Sequence, residues 1–437
     1  MNGLLRLQNK IMATVLISFI GTGSRSGSQY DLTEYFFKDE TNPREVAIFG
    51  SALLQHLKDN GQNVEKRLIL GTEKSIWSEL IKMFPELLSD DKRTLTDKNY
   101  ESQRESLEDE AIYCQSDKDH QSKISQDKLD AWEKIITDNL ANTEVKCRKV
   151  GYAADSVSNN AIFREILDSV NDKDRVVFDV THGLRHQPII TSSVIMYLRY
   201  LKNITDVEFY YGAKDLDGKV IKLDFCNELL KATEAVAIFE QTGNYEQIGK
   251  QLKMTNGFDT DISKALFADE MHKADKETPS RIIEKLEQTN FDNKPLNESL
   301  ANFLKKALSW ARNDSFAERL KEKAENAFKN GQYFKAIASL WEGLGVASCD
   351  VAKKNEHGNQ IDPNDFKQRN WAVKRREGYR LQEDNDNQLK NVEHLRNTVL
   401  HGSVDKKEKI QEATEDLSKF EKIFKGGLVV FEKNYCI

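Results

Sequence analysis

The amino-acid sequence predicts an α/β domain with a parallel-rich sheet, followed by an all-α domain. An unbroken run of apolar and β-branched residues, Thr14–Ile20, ends at a glycine turn, as a parallel strand covered on both faces requires. Strand-like and helix-like segments then alternate as far as Phe225. Beyond that residue only helical spacings remain, as in Leu300, Phe303, Leu304, Ala307, Leu308 and Ala311.

Taken in order, the expected elements are the strand Thr14–Ile20, a helix near 44–58, a strand at 67–70 and a helix around 76–88. A charged stretch poor in apolar residues, about 89–127, reads as a surface insertion. A strand at 144–150, a helix at 160–170, a strand at 175–180, a helix from about 187 to 201, a strand at 207–211 and a short strand at 220–223 complete the sheet. In the helical part, 333–352, 387–401 and 406–424 are the expected core helices. A chain of 437 residues exceeds one ordinary core of roughly 150 residues. The expected units are an α/β domain at 12–225, a helical connector at 226–300 and a compact helical domain at 301–437.

Composition excludes several classes. No 18 apolar residues run together, so no membrane-spanning helix is expected. The run 11–20 follows Arg6 and Lys10 and superficially imitates a secretory signal, but small-residue cleavage signals are missing and Gly21 follows at once. Met12 is a candidate start, since residues 1–11 add no pattern. Cys114, Cys147, Cys226, Cys349 and Cys436 are scattered without the paired spacing of a disulfide framework or a zinc site, which fits a reducing cytoplasm. A net charge of −7 excludes whole-surface binding of nucleic acid and confines any RNA contact to a local basic patch.

Two loops leave strand carboxyl ends, where open α/β sheets bind ligands. Gly21, Thr22, Gly23 and Ser24 form the first. Its glycines admit close backbone approach and its hydroxyls suit a phosphate or ribose, although the G-x-G-x-x-G spacing is incomplete and a tight turn explains it as well. The second runs from Thr181 through His182, Gly183 and Leu184 to Arg185, with His186 beyond. Thr181 can hydrogen-bond a phosphate, Gly183 permits a strained turn and Arg185 offers a charged fork; a helix-start turn with incidental charges is the bland alternative.

In 391–402, Val392, Leu395 and Val399 mark a buried helix face and Gly402 a helix stop. Asn397 and His401, four apart, are neighbours on the polar side, with Arg396 beside them. Arg396 and His401, five apart, lie about 140° around an ideal helix, so their convergence requires fraying or a second chain. His394 shares the His401 face but sits roughly 10 Å along the axis, too far for both imidazoles to hold one metal, and no metal site is expected. Lys367, Arg369, Lys374, Arg375, Arg376 and Arg380, interleaved with Trp371 and Tyr379, suit single-stranded RNA or, equally, a solvated helix with core aromatics. Glu342 either buttresses an arginine or is an exposed charge.

The segments 16–24, 68–77 with Gly71 and Thr72, and 178–185 together resemble the CARF domains, the Rossmann-like sensors of type III CRISPR defence. This resemblance covers about half of the chain. It implies that paired domains of a homodimer, or of a higher oligomer of dimers, bind a cyclic oligoadenylate, the tetra-adenylate in preference to the hexa-adenylate. Gly21, Thr22, Gly23, Ser24, Thr181, His182, Gly183 and Arg185 would line that pocket. Arg396, Asn397 and His401, spaced Arg-Asn-x-x-x-His, resemble the signature of HEPN ribonucleases. That family implies a site assembled across a homodimer which cuts single-stranded RNA without a metal or other cofactor, leaving 2′,3′-cyclic phosphate and 5′-hydroxyl ends. His401 would move protons, Arg396 would stabilise the developing charge and Asn397 would orient the site.

The expectation is therefore a cytoplasmic, allosterically activated endoribonuclease of antiviral defence. The alternative is a nucleotide sensor whose helical domain only binds a partner, against which the intact Arg396 and His401 speak. A dinucleotide oxidoreductase is disfavoured, because the full glycine fingerprint with its acidic residue about 20 positions on is missing.

Overall fold

Seven successive apolar or hydroxyl-bearing residues leave β1 (Thr14–Ile20) no solvated face, and all seven are buried in the computed structural model. The structure describes residues 13–21, 25–26, 29–38, 40–77, 80, 84, 124–140, 142–204, 206–271, 276–355, 361–376, 383–402 and 407–435. It divides into two units, Met1–Asn227 and Glu228–Ile437.

In the first unit, β1 is followed by two short antiparallel ladders, β2 (Arg25–Ser26) with β3 (Gln29–Tyr30) and β4 (Thr33–Tyr35) with β5 (Arg44–Val46). The main sheet adds β6 (Lys66–Gly71), β7 (Glu144–Lys149), β8 (Arg175–Asp179), β9 (Asp206–Ala213) and β10 (Lys219–Lys222), in the spatial order β10-β9-β8-β1-β6-β7. Every pairing is parallel except that of β9 with β10. The strand order therefore reverses between β1 and β8, in the doubly wound arrangement that opens a ligand crevice at that point.

Alternate residues of β1 serve opposite faces. Val15, Ile17 and Phe19 pack with Ile162 and Ile166 of one helix and Ile195 and Leu198 of another. Leu16 packs with Phe49, Leu53 and Leu57, and Ile20 with Leu129, Trp132 and Ile136. The helices so placed are α1 (Phe49–Asp59), α2 (Gln126–Asn139), α3 (Ser156–Ser169) and α4 (His186–Leu201), so both faces are covered as the alternation of elements requires.

Three expectations need correction. The helix expected at 44–58 begins only at Phe49, because Arg44–Val46 forms a ladder with Thr33–Tyr35. The charged stretch ends in a helix that was not expected, α2, whose Leu129, Trp132 and Ile136 recur at helical spacing among polar residues. The single helix expected at 406–424 is two, divided at Asp416, which is extended (φ −129°, ψ 113°) and accepts the Ser418 N–H at 2.8 Å to start the second. The expected helix at 76–88 lies mostly outside the described residues.

The second unit is helical. After α5 (Asp224–Thr242) come α6 (Glu246–Leu252), α7 (Phe258–Glu270), α8 (Glu277–Gln288) and α9 (Pro295–Ala307), around Tyr245, Phe258, Ile282, Leu300 and Leu304. A second core, with Leu320, Leu340, Leu344, Val392, Leu395, Phe424 and Phe431, joins α10 (Phe316–Lys329), α11 (Tyr333–Asn355), α12 (Phe366–Arg376), α13 (Glu383–His401), α14 (Glu408–Glu415) and α15 (Leu417–Tyr435). Asp269 of α7 fastens the two cores together by pairing with Lys323 of α10 and, at 2.6 Å, with Lys335 of α11. Among the described residues, no helix is long and apolar enough to cross a membrane.

Candidate functional site

Because β1 and β8 are parallel neighbours, with Ser18 opposite Asp179, the loops that leave them emerge side by side. Gly21 directly follows β1, and its carbonyl accepts the Ile76 N–H at 2.9 Å. Thr22, Gly23 and Ser24, expected to share this site, lie outside the described residues. A Cβ added at Gly21 would lie 3.5 Å from Nδ1 of His182, so the two loops meet at this glycine.

The loop after β8 is held largely by the residues expected to serve a ligand. The Thr181 hydroxyl accepts the Gly212 N–H at 2.8 Å, and its own N–H donates to Oδ1 of Asp179 at 2.8 Å. His182 Nε2 accepts the Phe49 N–H at 3.0 Å, capping the first turn of α1, which its preceding residue Ile48 leaves without a side-chain cap. Burial lowers the imidazole pKa to about 4, and the accepted N–H at the positive end of α1 favours the same neutral form.

Gly183 has φ +95°, and a Cβ there would meet Gln187 Oε1 at 3.0 Å and Phe19 Cγ at 3.1 Å. Glycine is therefore required on both backbone and packing grounds. Gln187 was not singled out in the sequence, yet its buried amide closes the loop: Oε1 accepts the Leu184 N–H at 2.8 Å and Nε2 donates to the Gly151 carbonyl at 2.9 Å. Arg185 stands exposed at the head of α4. Thr181, His182 and Gly183 thus give the crevice its shape, while Arg185 and the α4 N-terminus supply positive charge.

Asp179 is also a finding of the structure. It is fully buried at the end of β8, and that burial raises its pKa to about 7 against the opposing Thr181 hydrogen bonds and the field of Arg67. Its second oxygen, Oδ2, has no hydrogen-bond partner. The remaining wall is the turn after β6, where a Cβ at Gly71 would come within 2.6 Å of both Ile20 and Trp77. There Ser75 Oγ donates to the Ile20 carbonyl at 2.6 Å and accepts the Thr72 N–H at 2.9 Å.

In the second unit, Val392 and Leu395 are fully buried and Thr398 nearly so, which turns the opposite side of α13 outward. Half-buried Arg396 donates from Nη1 to Asn397 Oδ1 at 2.9 Å, and its Nη2 stands 3.7 Å from Glu342 Oε1 on α11. Glu342 is therefore the buttress and not an exposed charge. Its other oxygen, Oε2, lies 2.7 Å from Arg369 Nη1 on α12. His401 is exposed and is the last residue of α13; Gly402 follows at φ +57°. The structure thus gathers Arg396, Asn397, Glu342 and Arg369, and leaves His401 about 140° around an uninterrupted helix from Arg396.

The basic stretch forms α12, with Ala372 and Val373 buried and Lys367 and Lys374 exposed. Trp371 is 37% exposed, so it is not the core aromatic of the bland alternative. Tyr379 and Arg380 lie outside the described residues.

Comparison with known proteins agrees with the α/β fold of the first unit. Residues 15–224 match the family model described as the CARF domain of the CRISPR system endoribonuclease Csx1. The N-terminal unit is a CARF domain. The chain is accordingly a CARF-containing protein. It is similar to the CRISPR-associated protein MJ1674 of Methanocaldococcus jannaschii, 26% identical over 256 residues, which are 55% of this chain but only 38% of that relative. The Enterococcus italicus Csm6 structure bound to cyclic hexa-2′-fluoro-hexa-dAMP aligns over 97% of this chain and 94% of its own, with 11% identity and a TM-score of 0.36.

Proposed function

We propose that this chain is a cyclic oligoadenylate-activated endoribonuclease that cuts single-stranded RNA through a HEPN site paired across a homodimer. The observation that carries the cutting half is the guanidinium of Arg396. It is held by Asn397 and Glu342 on a helix whose terminal residue is an exposed imidazole. The sensing half is supported by the CARF match and by a crevice with glycine-lined walls, a helix N-terminus and Arg185.

In this reading Gly21 to Ser24 and Gly183 give backbone access to the phosphates of the ring, Arg185 pairs with one of them, and Thr181 and His182 fix the loop. The cyclic tetra-adenylate is the favoured activator. Its differential affinity for two states of the dimer biases the helical domains towards the cutting arrangement.

At the cutting site the RNA 2′-oxygen bonds to the adjacent phosphorus as the bond from phosphorus to the 5′-oxygen breaks. One imidazole takes the proton of the attacking hydroxyl, and the partner's His401 returns a proton to the leaving 5′-oxygen. Arg396 stabilises the negative charge that builds on the phosphorane, and Asn397 orients Arg396. No metal is required for these steps.

Labelled single-stranded RNA incubated with the purified chain, excess EDTA and cyclic tetra-adenylate or hexa-adenylate in turn tests this proposal. Products with 2′,3′-cyclic phosphate ends are expected. His401→Ala should lower the cutting rate by about 10²-fold or more while leaving activator affinity unchanged. Products ending in 3′-hydroxyl, or cutting that EDTA abolishes, would refute the mechanism.

A further inference from the structure

Glu342 is shared between two guanidiniums that it does not hold equally. Oε2 is 2.7 Å from Arg369 Nη1, a full charge-assisted contact, whereas Oε1 is 3.7 Å from Arg396 Nη2. The tighter partner fixes the rotation of the carboxylate. The looser one is steadied on the Glu342 side and still able to engage a further anion. All three side chains are about one-fifth exposed, which places the cluster at the boundary of the core, where such a pair is less screened than on an open surface.

The backbone is built for this reach. Gly345 follows Glu342 by three residues on α11, and a Cβ there would already touch Arg369 Cδ at 3.7 Å. The arginine stem therefore lies across the glycine, with the guanidinium at Glu342. Among the described residues, the Nε atoms of Arg369 and Arg396 are both buried without a hydrogen-bond partner, and the contacts to Glu342 are made from the Nη ends. Two arginines share one carboxylate, and the cluster keeps a net positive charge beside the proposed RNA phosphate.

We propose that Arg369 is a positioning residue of the cutting site, acting through Glu342 to orient the Arg396 guanidinium. This rests on the nuclease reading given above. It separates Arg369 from the exposed Lys367 and Lys374 of the same helix, which face solvent and suit RNA backbone contacts.

A kinetic double-mutant cycle on the full chain tests the assignment, with labelled single-stranded RNA, saturating cyclic tetra-adenylate or hexa-adenylate, and His401→Ala as control. Arg369→Met should lower kcat by roughly tenfold to a hundredfold and leave KM within about twofold, since misplacement by about 1 Å can carry losses of that size. Glu342→Gln should do the same. The double variant should be no worse than the poorer single variant within about twofold, because both changes remove one coupled arrangement. Arg369→Lys, which restores charge without the fork, should recover part of kcat.

Losses that multiply in the double variant, or a rise in KM with kcat unchanged, would overturn the positioning role and make Arg369 an independent RNA contact. A cutting wild type with an undiminished Arg369→Met variant defeats only this proposal. A wild type that cuts no RNA with either activator, or a His401→Ala variant that cuts normally, defeats the nuclease reading and this proposal with it. Should Arg369→Met fold poorly by thermal melting, Arg369→Lys and Glu342→Gln carry the same cycle.

Discussion

Two titratable groups, buried Asp179 at the end of β8 and partly buried His182 in the loop that follows, set opposite pH dependences. Asp179 has a folded pKa of about 7, well above the ~3.9 of an unfolded aspartate, so its contribution to stability is full below that lower value and is lost as pH rises through 7. His182, lowered to about 4 from the ~6.5 of an unfolded histidine, contributes stability above the higher value that is lost as pH falls through 4. Between about pH 4.5 and 6 the two nearly cancel. Asp179→Asn should therefore unmask a stability that climbs with pH over this window, and His182→Gln one that declines, each with a slope of at most ~1.4 kcal/mol per pH unit. Thermal melts across that range check the signs; parallel slopes in the two variants would contradict the assignment. Arg185→Ala, removing a surface charge and, among the described residues, no structural bond, should raise the activator concentration needed for half-maximal cutting and leave the melting temperature unchanged. The sequence located this loop by its polar run and left its side chains either to a ligand or to a helix-start turn with incidental charges. That His182 faces a helix N-terminus and that Gln187 reaches Gly151 depends on contacts across 133 and 36 residues, which no local pattern encodes.

At the scale of elements, what the sequence made legible follows from burial. A strand sealed on both faces must be continuously apolar, so β1, β6 and β8 stand out, and with them the reversal point at which the crevice forms. Elements with one buried face among charges were less visible: α2 turns Leu129, Trp132 and Ile136 inward, and β5 is fixed by its partner β4. The paired helices α14 and α15 read as one because the apolar spacing continues across Asp416. Two glycines show how narrow the tolerance is. Gly183→Ala should destabilise the first unit by about 1–3 kcal/mol through left-handed strain and contact with Phe19. Gly427→Ala places a Cβ 2.7 Å from Val392 and 2.9 Å from Leu340, and overpacking of this kind costs about 1–3 kcal/mol. Thermal or denaturant unfolding measures both, and an unchanged midpoint in either would show that its neighbours yield freely.

For the whole molecule, the helical geometry of α13 bears directly on the mechanism. Arg396 is held inward towards Glu342 while His401 ends the same unbroken helix, exposed. In the proposed enzyme the second chain brings the two groups together, so cutting activity should fall with dilution as the dimer dissociates. The motif Arg-Asn-x-x-x-His was legible in the sequence. Its supporting pair, Glu342 and Arg369, lies 54 and 27 residues away from Arg396 and became evident only in the packing of α11 and α12 on α13. The most direct test of the account is the single-turnover rate of RNA cleavage as cyclic tetra-adenylate or hexa-adenylate is titrated against wild type and His401→Ala. The account predicts a rate that rises from near zero to saturation with activator in the wild type and stays flat in the variant, although both bind the ring equally. Equal cutting with and without activator, or by the variant, would contradict it.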